Sequence, residues 1–132
     1  MRYLIDTDIC IYIMKHVPNV IKEFAAKMKD GVAISAITLA ELEYGACKSR
    51  YNELNKNKLI ELLTYVEVLP FDGSIAANYG AIRSDLERKE TPIGPMDVLI
   101  AAHAKSIGLT IVTNNMREYM RVDGLQIENW AE

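Results

Sequence analysis

The sequence predicts an α/β fold with a mainly parallel central sheet sandwiched by helices, and three observations point there. Short apolar runs alternate with longer stretches of helical periodicity, the pattern of strands joined by helical crossovers. One stretch, opened by Pro95, is apolar nearly all round, which suits a helix buried against a sheet. The chain has 132 residues, half of them hydrophobic and a quarter charged. At roughly 150 residues per domain this makes one unit, residues 1–132, able to bury a core without disulfides or structural metal.

The elements follow in order. Tyr3-Leu4-Ile5 reads as the first strand, and Thr7 and Asp8 stand where a helix would begin. Pro18 suits the first turn of a helix through Glu23, Phe24 and Met28, which Asp30-Gly31 stops before a second strand, Val32-Ala33-Ile34-Ser35. Helices fit Thr38 to Cys47 and Tyr51 to Thr64, with Val66-Glu67-Val68-Leu69 as the third strand. From Ser74, the residues Ala77, Ala81 and Leu86 recur at helical spacing, and the segment turns polar through Asp85 to Glu90 and reaches solvent. After Thr91-Pro92-Ile93-Gly94, the helix from Pro95 carries Val98, Leu99, Ala101, Ala102 and Ala104 and ends at Gly108. Leu109-Thr110-Ile111-Val112 is the fourth strand, and Leu125-Gln126-Ile127 a weaker fifth.

Several function classes fall away. Cys10 and Cys47 form no Cys-x-x-Cys or Cys/His cluster, so zinc is not expected and a reducing compartment is. The longest uncharged stretch, Ser106 to Met116, is eleven residues, against about 20 for a membrane span, and Asp6 and Asp8 interrupt any N-terminal signal. A cytoplasmic protein without membrane attachment is expected. A formal charge of −3 argues against a broad cationic coat for nucleic acid, but leaves room for a local basic rim.

Ligands of parallel sheets gather beyond the carboxyl ends of the strands, and oxygen-bearing side chains collect there. Asp6 ends the first strand, where it also suits a helix N-cap. Glu41 lies in the helix after the second strand, and Thr38 three residues earlier makes a capping box the structural alternative. Asp97 heads the most apolar helix, where it also suits the helix dipole. Thr113-Asn114-Asn115-Met116-Arg117-Glu118 follows the fourth strand, although Asn-Asn is a common turn. Convergence of these regions is the informative feature: grouped carboxylates repel unless a hard divalent cation neutralises them. An oxygen-only donor set favours magnesium or manganese over zinc, and metal-assisted phosphodiester hydrolysis needs no protein nucleophile.

The motifs Leu4-Ile5-Asp6-Thr7-Asp8, Ser35 to Gly45 around Glu41, Pro92-Ile93-Gly94-Pro95-Met96-Asp97, Thr113 to Tyr119 and a closing Ile127-Glu128-Asn129-Trp130 stand in order along the chain. In this the sequence resembles the PIN-domain ribonucleases, specifically the VapC-type toxins of bacterial toxin–antitoxin pairs. The resemblance implies a Mg2+- or Mn2+-dependent endoribonuclease with Asp6, Glu41 and Asp97 at the acidic positions, Asp6 and Asp97 as metal ligands, and Thr113 and Asn115 as supporting polar groups. Many relatives carry Asp where this chain has Asn115, so Glu118 is expected to take the fourth acidic role, with one ion bound rather than two. The implied substrate is structured RNA of the translation apparatus, namely the anticodon region of a transfer RNA, the initiator included, with translation inhibited as a result. Arg117 and Arg83, with Arg88 and Lys89, are candidate phosphate-binding residues.

The implied partners are a VapB-type antitoxin, docked on apolar surface from Ile9, Tyr12, Ile13, Met14, Phe24 and Met28, and a second copy of the chain. Tyr119 and His103 read as packing residues. Two other functions compete on these residues: a haloacid-dehalogenase-like phosphatase using Asp6 as nucleophile, and a catalytically silent PIN-like binding module. The first lacks that family's later lysine and paired acidic motif in order, and the second has only Asn115 in its favour.

Overall fold

A computed structural model describes residues 1–132. The elements run β1 (Tyr3–Ile5), α1 (Thr7–Met14), α2 (Pro18–Lys27), β2 (Val32–Ser35), α3 (Ala36–Lys48), α4 (Asn52–Leu63), β3 (Glu67–Leu69), α5 (Ala76–Arg88), α6 (Pro95–Ile107), β4 (Thr110–Val112), α7 (Met116–Tyr119) and β5 (Ile127–Glu128). All strand pairings are parallel, and the sheet order is β3-β2-β1-β4-β5. β1 therefore lies between β2 and β4, where the connections leave in opposite directions, the crevice in which such sheets bind ligands.

The sheet is covered on both faces, so its inner strands are apolar throughout rather than alternating with polar residues. Tyr3, Ile5, Ile34 and Val112 pack on one face with Ile9 and Ile13 of α1, Phe24 of α2, Leu42 of α3 and Leu62 of α4. Leu4, Ala33 and Ile111 face the other way, onto Ile82 and Leu86 of α5 and the small residues Ala101, Ala102 and Ala104 of α6. Alanines let α6 approach the sheet closely, and its buried interior is what its all-round apolar sequence predicts. Gly108 ends it in the left-handed conformation at φ +70, which glycine adopts without strain. Trp130 closes the first core edge-to-face on Tyr3, with ring centroids 5.5 Å apart.

Local differences from the sequence reading have physical causes. α3 begins at Ala36 rather than Thr38, because the Ser35 hydroxyl accepts from Ile37 N at 3.1 Å and is the N-cap. Thr38 then lies inside the helix and is buried, so the expected Thr38–Glu41 capping box is not formed. The Asn-Asn segment leads into the short helix α7, and the fifth strand forms at Ile127–Glu128, slightly later than its apolar run. Cys10 is buried as a small apolar residue should be, whereas Cys47 is exposed. No helix is long and apolar enough to cross a membrane.

Candidate active site

Asp6 follows the central strand β1 and is held from three sides. Its backbone N–H donates to Val112 O of β4 at 2.8 Å. Its Oδ1 accepts from Thr7 N at 2.8 Å, capping α1, and its Oδ2 accepts from the buried Thr113 hydroxyl at 2.8 Å. One carboxylate thus caps α1 and stands just beyond the central strand. Thr113 is in turn fixed by its N–H to Glu128 O at 2.9 Å and accepts from Asn115 N at 2.9 Å. Asp6 is only 4% exposed, and burial, reinforced by the negative charge of Asp8, pushes its carboxyl up to about 7 against the lowering effect of Thr113 and Thr7.

Glu41 reaches the site from the second turn of α3, where its Oε1 accepts the Thr7 hydroxyl at 2.8 Å. Asp97, in the first turn of α6, caps nothing: its Oδ1 accepts from the Tyr119 phenol at 3.1 Å. Burial raises the Asp97 carboxyl pKa, and the charges of Glu118, Glu41 and Asp8 raise it further, against the Tyr119 hydrogen bond. Asp8 accepts from Ile9 N at 2.7 Å and from Asn114 N at 3.1 Å, so it bridges α1 to the loop after β4. From sequence Asp8 could both cap α1 and serve the site, whereas Thr7 carried no signal, because its partner Glu41 lies in a distant segment.

These groups line a cleft of about 270 Å³ formed by Asp6, Thr7, Asp8, Ile11, Glu41, Asp97 and Asn115. It holds four carboxylates and no cationic side chain. Glu118 does not line it; its Oε2 accepts from the Asn115 amide at 3.0 Å, so it bears on the cleft through Asn115 and through its charge on Asp97. Arg83 pairs with Glu87 at 3.5 Å and accompanies Pro92, Ile93 and Pro95 in a separate recess, so the structure does not gather it into the cleft. Arg88 and Lys89 are paired with Asp85, and Lys89 also with Asp123. Arg117 is exposed on α7 and in no ion pair.

No three His, Cys, Asp or Glu side chains are grouped closely enough to hold a metal ion among them, so any ion here would rest on one or two carboxylates and water. The cleft is open, and its donors are all oxygens. Desolvated like charges with no cation among them fit a hard divalent ion that keeps several waters and takes one or two carboxylates, the coordination habit of magnesium. Zinc, by contrast, would want histidine or cysteine; His103 lies elsewhere, its Nδ1 2.8 Å from Ser35 Oγ in the core. What the arrangement can do is position a cation, a water and a phosphodiester.

Comparison with known proteins agrees with this architecture. Residues 3–125 match the PIN domain family. The chain is 43% identical over 131 residues to the tRNA(fMet)-specific endonuclease VapC of Salmonella typhimurium, covering 99% of each, and 42% identical over 132 residues to Ribonuclease VapC2 of Rickettsia felis, covering 98% of each. Among solved structures it superposes on VapBC2 from Rickettsia felis bound to a DNA fragment from their promoter with a TM-score of 0.95, at 40% identity over 98% of this chain and 99% of that one. DNA-bound VapBC from Salmonella typhimurium gives a TM-score of 0.93 at 42% identity, covering 98% of each chain. PIN-domain nucleases generally depend on a divalent metal. A sheet whose central strand delivers Asp6 beside Glu41 and Asp97, together with near-full-length identity of this order, means that the chain belongs to the VapC ribonucleases of the PIN-domain family.

Proposed function

We propose that this VapC ribonuclease is the toxin of a toxin–antitoxin pair that cuts transfer RNA, the initiator transfer RNA first among candidates, with Mg2+ or Mn2+ as cofactor. The observation that carries this is the cation-free cleft with Asp6, Asp8, Glu41 and Asp97 on its walls. The substrate assignment is supported by the tRNA(fMet)-specific relatives.

Asp6 and Asp97 would hold the ion. When bound, it supplies a water of lowered pKa and charge stabilisation for the in-line displacement. Thr113 keeps Asp6 from turning out of the cleft, and Tyr119 does the same for Asp97. Glu41, oriented by Thr7, is placed to take a proton from the attacking water. Glu118 supplies the fourth negative charge by way of Asn115, and Arg117 meets substrate phosphate; Arg83 acts only on RNA that extends to α5.

The antitoxin partner has a matching surface. An apolar groove of about 400 Å³ between α1, α2 and α4 is lined by Ile13, Met14, Ile21, Phe24, Leu62 and Tyr65, with Lys58 and Glu61 among its polar members. It suits an apolar antitoxin segment laid along helices, as the VapBC complexes among the relatives support. Ile9 of the expected surface belongs instead to the core. The chain acts as one unit over residues 1–132, in the cytoplasm, as a homodimer or within a toxin–antitoxin hetero-oligomer.

Incubating antitoxin-free protein with mixed transfer and ribosomal RNA, with Mg2+, Mn2+ or EDTA and beside Asp97→Asn, tests the reading. Discrete metal-dependent fragments of transfer RNA, lost in a folded Asp97→Asn protein, are expected. Cutting at the wild-type rate by Asp97→Asn would remove Asp97 from the site, and a folded, metal-binding chain that cuts no RNA would make it a binding module.

A further inference from the structure

We propose that the RNA backbone leaves the acidic cleft through an adjoining recess in which Lys15 and Lys58 bind its phosphates; this rests on the nuclease reading above. The recess, about 220 Å³, shares Ile11 and Glu41 with the acidic cleft, so the two are continuous along α1 and α3. Lys15, just past the end of α1, and Lys58, in the middle of α4, both line it. Neither is engaged: the six ion pairs of the chain use Lys27, Arg83, Arg88 and Lys89.

Electrostatics gives these two ammonium groups a task. A chain of formal charge −3 with four carboxylates on one cleft repels a polyanion where the scissile phosphodiester must enter. Attraction has to come from uncompensated cations beside the cleft, because a cation already paired with a carboxylate adds no net field there. The basic residues of α5 fail this test, since Asp85, Glu87 and Asp123 neutralise them. Lysine is suited to the role: a compact point charge on a flexible stem follows a phosphate without demanding one orientation. The separation of roles follows, with carboxylates at the reacting phosphate and lysines at its neighbours.

The test measures binding of a fluorescein-labelled transfer-RNA anticodon stem-loop by Asp97→Asn protein in Mg2+ across a salt series, with Lys15→Ala, Lys58→Ala and, as a control of equal charge change, Lys56→Ala. Lys56 is exposed on the same helix but outside the recess. Lys15→Ala and Lys58→Ala should each raise Kd about two- to fivefold. Each should also flatten the log Kd against log salt slope by about 0.7, the value for one lost single-strand phosphate contact. In the cutting assay, with Asp97 restored, KM should rise while kcat holds. An unchanged Kd, slope and KM, or the same change in Lys56→Ala, overturns the proposal. So does intact RNA binding combined with lost affinity for the antitoxin, which would give the recess to that partner. Wild-type protein that cuts no RNA defeats the nuclease reading itself, whereas wild-type cutting with indifferent lysine variants defeats only this subsite.

Discussion

The phenol of Tyr119, fully buried, donates to Asp97 Oδ1 at 3.1 Å and ties α7 to the head of α6. The residue packs, as its sequence context suggests, and it also orients a carboxylate. Tyr119→Phe keeps the ring and deletes that hydrogen bond, so it should cost about 1 kcal/mol of stability and about tenfold in kcat, with KM little changed. Melting curves and steady-state kinetics on transfer RNA check this; an unaltered kcat would mean that Asp97 is positioned without Tyr119.

Proton binding at Asp6 predicts an unusual stability profile. Its folded pKa of about 7 lies above the ordinary 3.8, so between those values the folded, metal-free chain holds a proton that the unfolded chain releases. The contribution of Asp6 to stability is therefore intact below 3.8 and is lost as pH rises through 7. Asp6→Asn, which can still cap α1, should abolish this decline and raise Tm above pH 7 by about 5 °C while eliminating activity. The readout is the wild-type minus variant Tm in EDTA against pH; a difference that does not vary with pH sinks the argument.

Divalent ions should bind with the opposite pH preference. Because the ligating carboxylates must be ionised, loading Mg2+ or Mn2+ displaces the proton on Asp6, and affinity should climb as pH approaches 7 from below. Calorimetry in buffers of different ionisation enthalpy would register the released proton, and equal heats in all buffers would contradict it.

Asn115 lines the cleft, and its amide donates to Glu118 behind it at 3.0 Å. Glu118→Gln should weaken cation binding about fivefold, and Asn115→Asp introduced alongside it should restore the loss by placing the charge on the cleft wall. Titration of Mn2+ by calorimetry decides between this and a purely structural Glu118, for which neither change would register.

In the core, the Ser35 hydroxyl serves twice, capping α3 through Ile37 N at 3.1 Å and meeting His103 Nδ1 at 2.8 Å. Ser35→Ala removes the cap and leaves a buried ring nitrogen unpartnered, so a loss of about 2 kcal/mol is expected from denaturant unfolding. A change below about 0.5 kcal/mol would show that neither bond matters.

Asp6, Glu41 and Asp97 were legible as acids in motifs that stand in order along the chain, although each also had a local structural reason, an N-cap, a capping box or a helix dipole. Glu118 was half legible: the acid is visible, but not that Asn115 stands between it and the cleft. Thr7 and Asp8 stand in the first motif, but their contacts with Glu41 of α3 and with the loop after β4 were not legible, since no spacing records them. Arg83 carried a signal that pointed the other way: Glu87 four residues on is a helical ion-pair partner, as Asp85 is for Lys89. The sheet was readable from its apolar runs, while its order depends on crossovers that the runs do not specify.

The hydrogen bond from Thr113 to Asp6 joins residues separated by 107 positions, and that from Tyr119 to Asp97 residues separated by 22. During synthesis, then, a growing chain carries Asp6 well before Thr113 emerges to hold it, and Asp97 only 22 residues before Tyr119. The fixed arrangement of the cleft therefore belongs to the whole folded chain, and any N-terminal fragment that stops short of Thr113 lacks the hydroxyl that holds Asp6.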